Sequence, residues 1–206
     1  MVLETPTDKR KRRTHNAVLD AGQTLFLEHG YRGTTIEMLA ATADVAVSSI
    51  YANFGAGKVD VYTALAWRTA LAHVEQTSAP VDAVDPVRVV AEFLDRYIAF
   101  HRGSPLALRL LGLTDVDKSE SETVGAAKAK IDRALGGLID SVTHAVTDAG
   151  SDVDPRALVL NAWAAMNGAV SLRQRRIVDQ PMLDAMLAIT RADMLRHLNG
   201  TSDEAR

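Results

Sequence analysis

Residues Thr34 to Phe54, TTIEMLAATADVAVSSIYANF, constrain this chain more than any other stretch. Thr34 stands three residues before Glu37, the spacing of a capping box, so a helix is expected to start there. Ile36, Leu39 and Ala40 then share one face at i, i+3, i+4. Ala43, Asp44 and Val45 make a turn, and aspartate tolerates the left-handed backbone that such a corner often needs. A second helix of about two turns is expected from Ala46 to Asn53. Val45 and Ile50 direct it at a core, which leaves Val47, Ser48, Ser49, Ala52 and Asn53 outward. Two readings fit this pattern. One is an ordinary helical hairpin; the other is a helix-turn-helix whose second helix enters a major groove about 12 Å wide.

The surrounding residues favour the second. Arg13 to Val61, with AVLDAGQTLFLEHGYRGTTIEMLAATADVAVSSIYANF followed by GAGKVDVY, resembles the DNA-binding region of TetR-type transcriptional regulators. The HGY corner, the TTI start and the IYxNF end match in order and spacing, over about a quarter of the chain. The resemblance implies a three-helix DNA-binding domain with Val47, Ser48, Ser49, Ala52 and Asn53 facing bases, and Thr34, Thr35, Tyr51 and Lys58 holding phosphates. There are three departures. The usual turn glycine is Asp44, and the usual serine at the start of the second helix is Ala46. The loop after Phe54 carries one residue more than the commonest pattern. The missing serine cap, worth about 0.5–2 kcal/mol, is either lost or supplied by Asp44.

At 206 residues the chain is too long for a DNA-binding domain alone, and 47% apolar content is enough for a proper core. The absence of cysteine excludes disulfides, zinc fingers and a cysteine nucleophile. No apolar run reaches the length of a membrane span, and the basic N-terminus lacks the apolar segment of a signal peptide, so a cytoplasmic protein without membrane contact is expected. The net charge of −3 says nothing for nucleic acid. The local run Lys9, Arg10, Lys11, Arg12, Arg13 says more. Such a run is often a solvated tail; placed before a helix-turn-helix, it reads as an arm along phosphates or in a minor groove.

Residues 1–8 are expected to lack structure, and a helix to run from Thr14 to His29, ended by Gly30. Gly55-Ala56-Gly57 is wrongly spaced for a phosphate-binding P-loop. A long helix should follow from Lys58 to Gln76, with Lys58 at its start either exposed or on a DNA phosphate. Ser78 to Asp85 reads as a linker. Further helices are expected at 86–102, 106–113, 124–149, 155–176 and 181–198, two of them opened by Asp-Pro. With no convincing strand, the fold class is all-α, about nine helices: an N-terminal basic arm and helix-turn-helix domain over 1–57, then a helical effector-binding and dimerisation domain over 58–206.

The last two long helices carry heptad-like seams, Leu158, Ala162, Ala165, Ala169, Leu172 and Leu183, Leu187, Thr190, Met194, Leu198. They suit packing within the chain or, as the resemblance implies, the bundle of a homodimer. The six histidines are dispersed; no zinc-protease, deaminase or nucleophile-elbow motif is complete, so catalytic residues, metal ligands and cofactors are expected to be none. The middle helices carry Trp67, Phe93, Tyr97, Phe100, Leu110, Trp163 and Met166, with His101, Arg109, Asn161 and Asn167 as polar candidates. These are either core or the lining of a mostly apolar ligand pocket; the resemblance implies a pocket for an inducer. The expected function is a homodimeric, ligand-responsive repressor on an inverted-repeat operator of double-stranded DNA, released by a small apolar effector. A DNA-binding regulator without an effector, and a helical enzyme that retains the motif, are the alternatives.

Overall fold

The structure, a computed structural model, describes residues 3–78 and 85–198. Most of the expected linker, 79–84, and residues 1–2 and 199–206 lie outside the described residues. Among the described residues there are nine α-helices and no strand: α1 Lys9–Gly33, α2 Ile36–Thr42, α3 Val47–Asn53, α4 Lys58–Thr77, α5 Pro86–Gly103, α6 Ala107–Gly112, α7 Glu122–Asp148, α8 Pro155–Gln174 and α9 Gln180–Leu198. Two compact units are built from them. The first is Met1–Leu71 with Arg109–Arg133; the second is Ala72–Leu108 with Ala134–Arg206. α4 and α7 each begin in the first unit and end in the second.

In the first unit α1, α2 and α3 pack on one another. Val18, Leu25, Phe26, Leu39 and Ile50 are buried at their junction, each such side chain contributing about 1.5–3 kcal/mol. His15 stacks on Phe54, with ring centroids 4.9 Å apart, and so fastens the end of α3 to the start of α1. Tyr62 meets Phe26 and Tyr31 edge to face, and those two rings are tilted against each other.

Local chemistry corrects two boundaries. α1 starts at Lys9, not Thr14, so the basic run is helical. Asp8 is the cause: its side chain accepts the Lys11 N–H at 2.8 Å and caps the helix. The second correction concerns α2, whose cap is Thr35, not Thr34. The Thr35 hydroxyl accepts the Met38 N–H at 3.2 Å, which places Glu37 at the second helical position and removes the capping box. Gly30, at φ 71°, turns the chain at the end of α1 as expected, and one further turn of helix follows it.

The second unit is a bundle of α5, α8, α9 and the second half of α7. Val90, Leu94, Val146, Leu158, Ala162, Met166, Leu187 and Met194 fill its core. Asp85 and Asp154 cap α5 and α8, each followed by proline in the first turn. Ion pairs Arg191–Asp95 and Arg102–Asp184 join α9 to α5. The two seams expected on the last helices largely face this core: Leu158, Ala162, Ala169, Leu183, Leu187, Met194 and Leu198 are buried in it. The outward stripe is a different one, with Leu160, Met182 and Ile189 exposed.

Candidate nucleic-acid interface

The turn between α2 and α3 forms as its residues dictate. Asp44 adopts φ 53°, the left-handed conformation in which glycine is commonest. Ala46 occupies the N-cap of α3 and makes no side-chain cap bond, so the cap that serine would supply is lost rather than replaced by Asp44. Ile50 anchors α3 from its buried side. Ser48, Tyr51 and Ala52 are exposed, while Val47, Ser49 and Asn53 are half-buried. The Asn53 amide donates to the Ser49 carbonyl at 2.8 Å, so it is folded back along its own helix. Tyr51, 51% exposed, rests one ring edge on Gly57. Gly57 has φ 66°, and a Cβ there would stand 3.0 Å from that ring, so a side chain at this position would be strained.

The residues expected at phosphates divide. Thr35 is exposed. Thr34 is 1% exposed, and its hydroxyl donates to the carbonyls of Gly30 at 2.8 Å and Leu25 at 3.2 Å. It seals the end of α1 and presents nothing outward. Lys58 also turns inward. Its ammonium donates to the carbonyls of Tyr31 and Thr34, both at 2.8 Å, and partial burial lowers its pKa. In the first turn of α4 the Asp60 carboxylate accepts the Ala56 N–H at 2.9 Å and the Ser121 hydroxyl at 2.9 Å. Sequence reasoning missed Asp60, although an acidic residue in a first helical turn is a readable signal. It also passed over Arg32, exposed near the end of α1.

Lys9, Arg10, Lys11, Arg12 and Arg13 are all exposed. Five successive helical positions turn through about 400°, so their charges radiate on all sides. A helix about 10 Å across does not enter a minor groove about 6 Å wide, which rules out minor-groove insertion of the arm in this conformation.

The residues expected to line a ligand pocket divide as well. In the second unit a slot with a free volume of about 20 Å³ is lined by His73, Phe93, Tyr97, Val142, Trp163 and Met166, among others. That is room for about one water molecule. Phe100 and His101 lie against His73, with ring centroids 4.6 and 5.5 Å from it. Asn167 accepts the Tyr97 hydroxyl, Asn161 is exposed, and burial pushes the Tyr97 phenol up. Trp67, Arg109 and Leu110 belong to the first unit instead. Trp67 carries Lys130 over its ring at 5.5 Å. Arg109 grips Asp115 with two nitrogens, at 2.8 and 3.0 Å, and Asp115 also accepts the Tyr62 hydroxyl at 2.6 Å. Among the described residues no group of three or more His, Cys, Asp or Glu is placed to hold a metal, and no helix is long and apolar enough to cross a membrane.

The two short helices α2 and α3, joined by a tight turn and packed on α1, form a helix-turn-helix arrangement. Residues 18–65 match the family model "Bacterial regulatory proteins, tetR family". The match covers α2 and α3 whole, with most of α1 and the start of α4. Solved structures agree on the fold. A TetR-family transcriptional regulator from Mesorhizobium loti is 17% identical over 92% of this chain and 98% of its own, with a TM-score of 0.67. The regulator PfmR from Thermus thermophilus is 16% identical over 88% and 98%, at 0.68. The fatty acid degradation regulator FadR from Bacillus halodurans is 17% identical over 88% and 97%, also at 0.68. No curated protein sequence matches the chain.

Proposed function

We propose that this DNA-binding regulator is a homodimeric repressor that reads an inverted-repeat operator and is released from it by a small apolar effector. The observation that carries the reading is the outward face of α3. Ser48, Tyr51 and Ala52 are exposed on α3, as is Thr35 at the start of α2, while Ile50 fixes α3 from its buried side. Short hydroxyls and methyls on this face suit single hydrogen bonds and thymine-methyl contacts, not the bidentate guanine contacts of arginine. Phosphate contacts fall to Thr35, Tyr51, Arg32 and part of the Lys9–Arg13 helix. Lys58 and Thr34 act by holding the end of α1 in place. Dimerisation through α8 and α9 is supported by Leu160, Met182 and Ile189, which are left exposed on their outward stripe. Selection of bound fragments from random DNA tests the reading: a motif with dyad symmetry and half-sites about one helical turn apart is expected. A motif without a dyad overturns the homodimeric reading.

The second reading, a regulator without an effector, is favoured by one observation: the slot in the second unit holds only about 20 Å³. A metabolite panel scored both for a change in melting temperature and for dissociation of the DNA complex separates the two. No compound doing both favours the effector-free regulator.

A further inference from the structure

The second unit buries one polar side chain on a cavity wall and leaves it unsatisfied. His73, on α4, is 1% exposed, and neither ring nitrogen has a hydrogen-bond partner among the described residues. Its ring lies on the wall of the slot whose other sides include Phe93, Leu138, Val142, Trp163 and Met166. His101, beside it, is buried and equally unsatisfied. The nearest polar side chains are already engaged, since the Tyr97 hydroxyl donates to Asn167. Most buried polar side chains in proteins are satisfied, so a pair that is not asks for an explanation.

We infer that the effector is an uncharged, largely apolar molecule carrying one hydroxyl group, and that this hydroxyl pairs with the ring of His73. The inference rests on the reading of the second unit as effector-binding. No Asp, Glu, Lys or Arg lines the slot. A carboxylate there finds no cation and an ammonium finds no carboxylate, and an unpaired buried charge is strongly disfavoured. His73 itself does not supply the charge, because burial, followed by the neighbouring His101, lowers its pKa to about 3. A neutral imidazole offers one donor and one acceptor. A hydroxyl serves whichever nitrogen faces the slot, whereas a carbonyl serves only the protonated one. Arg109, a polar candidate for the pocket, belongs to the other unit, where Asp115 holds it.

The slot has to open to admit such a molecule. Phe93 and Trp163 on its wall are only half-buried. A ligand that satisfies His73 only in the opened form has the differential affinity needed to populate it.

The test uses the full chain with Trp67→Phe, which leaves Trp163 as the single tryptophan. Four probes of matched chain length are titrated at pH 7.5: 1-octanol, octyl methyl ether, octanoate and octylamine. Octanol is expected to change Trp163 emission saturably and to bind about tenfold more tightly than it does once His73 is replaced by phenylalanine, the size of one hydrogen bond to a buried group. Octanoate and octylamine should show no saturable change where octanol saturates. In His73→Phe, the melting temperature should hold or rise, and octanol and the ether should converge to within about twofold. Octanoate binding more tightly than octanol overturns the inference, as does a preference for octanol that survives in His73→Phe. If none of the four probes gives a saturable change, the effector-binding reading falls and the inference falls with it.

Discussion

Lys58 covers the ring of Tyr31, its ammonium 4.4 Å from the ring centroid, and donates a hydrogen bond to the carbonyl oxygen of the same residue at 2.8 Å. A lysine at the start of α4 thus acts as the C-terminal cap of α1, where a cation meets the negative end of the helix. Lys58→Met should lower stability by about 2 kcal/mol, the scale of charge-assisted hydrogen bonds. It should leave the salt dependence of DNA binding almost unchanged. Denaturant titration and a log–log salt plot measure the two separately, and a slope reduced by about 2 per dimer would instead place Lys58 on phosphates.

The basic start of α1 gives the opposite pattern. Replacing Lys9, Arg10, Lys11, Arg12 and Arg13 by glutamine keeps the helix and its Asp8 cap. If about two or three of these charges per subunit face the duplex, the salt slope should fall by about 4–5 per dimer. Relief of like charge at a helix N-terminus should also raise the melting temperature slightly. An unaltered slope would make the run a solvated surface.

On α3, Ser49→Ala should change base preference at one position of each half-site, whereas Tyr51→Phe should weaken all sequences alike. Parallel selections from random DNA with the two variants distinguish these effects. Equal loss across sequences for Ser49→Ala would remove that residue from base reading.

Burial holds His73 and His101 neutral, with pKa values lowered from 6.5 to about 3 and about 4. Both values lie below those of the unfolded chain, so the unfolded state takes up protons first as pH falls. Stability is unaffected by them above about pH 6.5 and falls below it, down to about pH 4 for His101 and about pH 3 for His73, at up to about 1.4 kcal/mol per pH unit for each histidine. The double variant His73→Phe, His101→Phe should show a flatter pH–stability curve across that window. Curves of the same steepness would mean that other groups carry the acid sensitivity.

Ile189 is 69% exposed on the outward stripe of α9. On the proposed dimer through α8 and α9, Ile189→Glu should shift light scattering from dimer to monomer while the helical circular dichroism is retained. A variant that remains dimeric would move the interface off this stripe.

The helices were legible in the sequence because caps, prolines and periodic faces agreed there: Asp85-Pro86 and Asp154-Pro155 start α5 and α8 as read. The start of α1 was not, because five like charges at a helix N-terminus oppose the dipole, and only the Asp8 cap outweighs them. Thr34 and Thr35 are adjacent and chemically alike. Which one caps α2 depends on the chain reversal at Gly30, which draws Thr34 onto the α1 carbonyls. Lys58 has a flexible stem, and spacing alone does not say which way its ammonium turns. On α8 and α9 two stripes are apolar, and periodicity does not tell which of them a core will claim. Arg109 was read as a pocket residue since its partner, Asp115, lies beyond the end of α6, past the left-handed Leu113.

α3 is seven residues long, has no side-chain cap and is fixed by Ile50 and the stacking of Phe54 on His15. A helix of that length is unstable alone in water. A synthetic peptide copying Val47–Asn53 would therefore carry the residues proposed to contact bases and still be a coil. Transplanted onto another scaffold, the heptapeptide would need that scaffold to supply its own clasp at both ends. The reading surface of this chain is a property of the three-helix unit as a cooperative whole, so heat or denaturant should abolish DNA recognition and melt that unit in one and the same transition.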